Sequence, residues 1–100
     1  MPATPQSAFA PDACIGMGAG STSSRVALPG TLGGDTVVRV VNIGPDPAAV
    51  QLGDVTVVAV NNTSLMVNAG DTQYLVLGAA TYIAAISIGK KAILNICTGN

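Results

Sequence analysis

The chain contains no histidine, no glutamate and no tryptophan, and the first two absences close off much chemistry. Without an imidazole there is no base poised near neutral pH, no Ser–His or Cys–His nucleophile pair and no histidine metal site. The same lack argues against a cupin-type metal enzyme, whose strand pattern is otherwise similar. Charge is scarce: charged residues make up 9% of the chain, against roughly a quarter in an average soluble domain. The four cations, Arg25, Arg39, Lys90 and Lys91, build no basic run and the net charge is −1, so the electrostatic footprint of a DNA- or RNA-binding protein is missing. No apolar run reaches the roughly 18 residues of a membrane helix. The opening Met1-Pro2-Ala3-Thr4-Pro5 has no basic region and is broken by proline, unlike a secretory signal. The expectation is a soluble chain made in the cytoplasm that binds neither nucleic acid nor membrane.

What is present is apolar and β-forming. Hydrophobic residues make up 49% of the 100 positions, supplied by Val, Ala, Ile and Leu with only Phe9, Tyr74 and Tyr82 as aromatics. One hundred residues suit one domain with one core. So few charges leave much of its surface neutral or apolar, and part of it is expected to lie against other chains.

Residues 1–12 carry Pro2, Pro5 and Pro11 and read as an extended arm, either frayed or docked on a neighbour through Phe9. Residues 13–100 read as one β-sandwich domain. Strands are predicted at Ala13–Gly18, Arg25–Leu28, Val37–Ile43, Ala48–Leu52, Val55–Val60, Leu65–Val67 and Ala92–Cys97. The densest signal is Gly70–Gly89, where two runs rich in Thr, Tyr, Ile, Val and Leu flank Gly78-Ala79-Ala80, a pattern that predicts a hairpin. A second hairpin is predicted over residues 36–52, around the turn Gly44-Pro45-Asp46-Pro47. No segment has apolar residues at helical spacing, and turn residues recur at intervals of about eight to twelve, so the fold class is all-β: an antiparallel sandwich of the jelly-roll kind. Gly34-Asp35-Thr36 and Gly70-Asp71-Thr72 lie 36 residues apart, each opening a strong strand. The echo is either a duplicated half or a good turn exit used twice.

Candidate chemistry is thin. Asp12, Asp35, Asp46, Asp54 and Asp71 each sit beside Gly or Pro, where Asp bonds its own backbone; this turn role is expected ahead of calcium binding or catalysis. Gly16-Met17-Gly18-Ala19-Gly20-Ser21 lacks the lysine and helix of a phosphate loop. Asn61-Asn62-Thr63-Ser64 matches a glycosylation sequon twice but reads as a turn. Cys14 and Cys97 stand near opposite ends; two buried thiols are the expectation for a cytoplasmic chain, and a terminal disulfide is the alternative if the first and last strands lie side by side. Tyr74 and Tyr82 read as cross-strand packing, and otherwise as a ligand platform within one hairpin. Lys90-Lys91 reads as a solvated turn, or as a contact for an acidic neighbour. No catalytic, metal or cofactor site emerges.

Three stretches carry a resemblance. Asp35-Thr36-Val37-Val38-Arg39-Val40-Val41-Asn42-Ile43-Gly44, Val50-Gln51-Leu52-Gly53, and Ala69-Gly70-Asp71-Thr72-Gln73-Tyr74 with Ala79-Ala80-Thr81-Tyr82-Ile83-Ala84-Ala85-Ile86 resemble small head decoration, or cement, proteins of tailed bacteriophages. The likeness covers roughly residues 35–97. It implies a non-enzymatic β-sandwich on the outer surface of a virion capsid. Its partners would be the major capsid protein and further copies of itself, a trimer before a dimer. Phe9, Arg39, Tyr74, Tyr82, Lys90 and Lys91 are the candidate contacts. The competing class is a ligand- or glycan-binding module of a phage tail, fibre or adhesin, using Tyr74, Tyr82 and turn aspartates.

Overall fold

The computed structural model describes residues 11–30, 32–33, 35–60 and 64–99. Phe9, most of the expected arm and the sequon asparagines Asn61 and Asn62 lie outside them. Among the described residues there are eight strands and no helix: β1 (Pro11–Ala19), β2 (Ser24–Ala27), β3 (Val37–Pro45), β4 (Ala48–Gly53), β5 (Leu65–Val67), β6 (Thr72–Val76), β7 (Tyr82–Ser87) and β8 (Ala92–Gly99). They form two antiparallel sheets of four, sheet A in the order β1-β8-β3-β6 and sheet B in the order β2-β7-β4-β5. This is the double-sheet jelly roll. β1 takes in Pro11 and Asp12, the last two residues of the expected arm.

The side-chain period of two fixes the layers. In β3, Val38, Val40 and Asn42 are buried while Val37, Arg39, Val41 and Ile43 face outward. Val38, Val40, Leu94 and Ile96 from sheet A meet Val50, Ile83 and Val67 from sheet B, all at most 1% exposed. Leu77 and Ile83 belong to this core, and Leu75 packs against it half-buried.

Neither predicted hairpin forms. β6 pairs with β3 in sheet A, whereas β7 pairs with β2 and β4 in sheet B, so the segment Gly70–Gly89 crosses from one layer to the other. β3 and β4 likewise lie in opposite sheets. A short turn shows that the chain reverses, but not whether the returning strand pairs with its neighbour or packs across from it. The two crossings match: β3–β4 and β6–β7 both pass from sheet A to sheet B, and their strands pair with each other, Arg39 opposite Tyr74 and Val50 opposite Ala85. The Gly-Asp-Thr echo therefore marks two equivalent crossings.

At the first crossing, Gly44 has φ of 94° and its bond to Pro45 is cis; the positive φ suits glycine. Beneath it, the fully buried Asn42 joins the layers. Its Nδ2 donates to the carbonyls of Val67 at 2.8 Å and Asp46 at 2.9 Å, and its Oδ1 accepts the Gly44 N–H at 2.7 Å.

The predicted strand Val55–Val60 is instead a strap. The Val57 N–H bonds the Asp54 carbonyl, a Cβ on Gly53 would stand 2.8 Å from Val57, and the Ala59 N–H reaches Ser23 Oγ at 2.9 Å. Gly53 ends β4 and Ser23 precedes β2, so the strap crosses the outer side of sheet B. Ala49 and Ala84, which point that way, are fully buried. The valine-rich run Val55–Val60 reflects packing on a sheet rather than membership of one.

Candidate interaction surface

Strand register places the outward residues of sheet A in transverse rows. Cys14 lies opposite Cys97, Cys97 opposite Arg39, and Arg39 opposite Tyr74. One line thus crosses all four strands. Cys14 and Cys97 form a disulfide, with Cα atoms 4.0 Å apart, so the expectation of two free thiols gives way to the terminal staple. The first and last strands are neighbours, which brings the distant cysteines together. Arg39 Nη2 donates to Asn95 Oδ1 at 3.3 Å and lies 3.2 Å from Cys97 Sγ. The guanidinium is therefore held flat against the sheet, where its stem covers apolar surface.

Around that row the face is apolar. Val76 is 73% and Ile43 64% exposed, Ile93 is also exposed, and Val37 and Val41 are half-buried. On β1 the outward positions after Cys14 are Gly16 and Gly18. Sheet B is different, because its strap covers the equivalent side and presents Val55, Val58 and Val60 outward. Sequence reasoning singled out Arg39 and Tyr74 but missed Ile43, Val76 and Ile93; the odd-numbered phase of β3, fixed by Arg39, was the signal available for Ile43.

Other candidates separate. Tyr74 faces outward from sheet A and Tyr82 belongs to β7 of sheet B, next to the inward Ile83, so the two rings share no platform. Lys90 and Lys91 sit exposed in the β7–β8 turn, their backbone N–H groups donating to Asp46 Oδ2 at 2.7 and 3.0 Å. Those bonds, Lys90 first, hold the Asp46 carboxyl below its ordinary range, against a smaller opposing effect of burial. The Thr56 hydroxyl and N–H do the same for Asp54. Asp54 thus bonds its own turn as expected, whereas Asp46 ties the β3–β4 connection to the distant β7–β8 turn; no group of three or more potential metal-ligating His, Cys, Asp or Glu side chains occurs among the described residues.

Both carboxyls have a folded-state pKa below the unfolded one. Their contribution is complete above the unfolded value and is lost as pH falls through the folded value. The expected result is a melting temperature that drops as pH is lowered below about 4, with a shallower acid slope in Asp46→Asn. Thermal melts of both proteins across that range measure it.

No protein-family model and no curated protein matches this sequence. The outer face of sheet A carries one cation, Arg39, among exposed Ile43, Val76 and Ile93, and the Cys14–Cys97 disulfide links two of its strands.

Proposed function

We propose that this protein is a structural component of a phage virion that binds the outer surface of the capsid through the outer face of sheet A and strengthens contacts between capsomers. The observation that carries the reading is the outer face of sheet A, where Ile43 and Ile93 are exposed at one end and Val76 at the other, and the charge between them, Arg39, is already held by Asn95. Exposed apolar side chains at both ends of one sheet face, with the charge between them already held, suit an interaction site. The jelly-roll order of the strands fits the fold that the decoration-protein resemblance implies. Stabilisation follows from mass action, since a protein that binds the assembled shell and not its dissociated parts shifts the equilibrium toward the shell. Separation of Tyr74 from Tyr82 weighs against the glycan-binding alternative.

The test is addition of purified protein to shells that lack it. Wild type is expected to sediment with the shells and raise their disruption temperature. Ile43→Lys/Val76→Lys is expected to lose both effects while its own stability changes by less than about 1 kcal/mol, because both side chains project into solvent. Undiminished binding by the double variant overturns the assignment of this face.

A further inference from the structure

Among the described residues β1 is an edge of sheet A, and the register determines which backbone groups it presents. Within β3, the Asn42 N–H bonds the Asp71 carbonyl and the Thr36 carbonyl accepts from Leu77 N–H; even-numbered residues of β3 therefore turn their backbone toward β6 and odd-numbered ones toward β8. Arg39 and Cys97 thus form a hydrogen-bonded pair, which leaves Cys97 and Cys14 a non-hydrogen-bonded pair. The 4.0 Å Cα separation of the cysteines agrees with that phase. In such a pair the N–H and C=O groups point away from the partner strand, so Cys14, Gly16 and Gly18 direct theirs to that edge.

Pro11, Asp12 and a register shift between Pro11 and Ala13 guard the start of this edge, and the stretch from Ala13 onward is unguarded. β2, β5 and β6, the other edge strands, have four, three and five residues, whereas β1 has nine. Short strands, lysine and inward charge normally guard an edge, yet Ala13–Ala19 carries no charge. Gly16 and Gly18 leave its outer side without side chains, and a Cβ at either position would meet nothing closer than 3.9 Å. On the inner side Ile15 packs against the core but is only half-buried.

We infer that β1 pairs with β1 of a second copy of this chain, antiparallel about a two-fold axis through Gly16. Gly16 then faces the second copy's Gly16, Cys14 faces its Gly18, and the exchange makes about six backbone hydrogen bonds. Ile15 lies beside the second copy's Met17, which covers its open flank. The strand is its own complement: every exposed donor meets an acceptor, glycine meets glycine where the axis passes, and a net charge of −1 per chain adds little repulsion. Two four-stranded sheets become one of eight, and a two-fold dimer replaces the trimer that the decoration-protein resemblance favours. The inference rests on β1 alone and holds whether or not the protein mounts on a capsid.

The test is a charge swap at residue 16. Sedimentation of the wild-type chain should show a concentration-dependent dimer. Gly16→Lys and Gly16→Glu each place like charges directly opposite each other and are expected to weaken association at least about tenfold. Their equimolar mixture is expected to restore the dimer. Hydrogen exchange on the unaltered chain gives a second readout that needs no variant: protection at the Cys14, Gly16 and Gly18 amides that rises with protein concentration. A wild-type monomer at all concentrations, a trimer, dimers unaffected by either variant, or a mixture that stays monomeric would each overturn the inference. So would protection of those amides that is independent of concentration, which would mean that the edge is covered from within the chain.

Discussion

Replacing Asn42 with alanine is expected to destabilise the fold by about 3 kcal/mol and to lower its melting temperature by about 15 °C. The side chain is fully buried and makes three hydrogen bonds, to Val67, Asp46 and Gly44. Truncation strands the Val67 carbonyl and the Gly44 N–H away from water and frees the half-buried Asp46 carbonyl; each unsatisfied buried group costs roughly 1–3 kcal/mol, although the costs of neighbours do not simply add. The effect exceeds that of an ordinary surface change because Asn42 stands on β3 of sheet A while Val67 belongs to β5 of sheet B. Asn42→Asp keeps the acceptor for Gly44 but loses both donors and buries a charge, so it is expected to be no better. Denaturant titration checks both variants; a loss below about 1 kcal/mol for the alanine would show that water replaces the amide.

The second large effect belongs to the disulfide. Cys14 and Cys97 are 83 residues apart, so the bond closes most of the chain, and loop-closure entropy in the unfolded state gives it about 4 kcal/mol. β1 is an edge strand that pairs only with β8 among the described strands. Cys14→Ser/Cys97→Ser is therefore expected to melt about 15–20 °C lower than the oxidised protein and to lose protection in β1 before the rest of sheet A. Thermal melts with and without a thiol reductant test the same point on the unaltered chain. Equal melting temperatures would show that β1 is held by its pairing with β8 alone.

Much of the fold is legible in the sequence, and the illegible parts have identifiable causes. The near-continuous valine run around Arg39, the Leu65–Val67 run and the apolar Ala92–Cys97 segment locate strands because β-branching and apolar content are local properties. Pairing is not local. Leu77–Thr81 and Gly44–Pro47 look like hairpin turns, yet both carry the chain between layers, and nothing within a few residues distinguishes the two outcomes. Val55–Val60 has strand composition but lies on a sheet as a strap, because apolar side chains pack equally well from a loop anchored at Ser23 and Gly53. Turn chemistry was readable at Asp54, whose carboxyl takes the Thr56 donors two residues on, but not at Asp46, whose donors come from Lys90 and Lys91 in a distant turn. Asn42 was not readable as a keystone: its bonds to Gly44 and Asp46 are local, but the one that joins the sheets, to Val67, forms across 25 residues and between two layers. The interaction face was half legible: Arg39 fixes the outward phase of β3, but Val76 and Ile93 join that face only through the β3–β6 and β3–β8 registers.

These threads converge on sheet A. Its inner face builds the core, its outer face exposes Ile43, Val76 and Ile93, and among the described strands its β1 edge pairs on one side only. Scarcity of charge across the chain is what an assembly component requires, since each buried charge would need a partner. Quantitative mass spectrometry of purified virions tests this account most directly. The account predicts the chain in a fixed proportion to the major capsid protein, at the many copies an icosahedral surface demands; its absence from the particles, or its presence at only a few copies as in a tail or fibre, would contradict it.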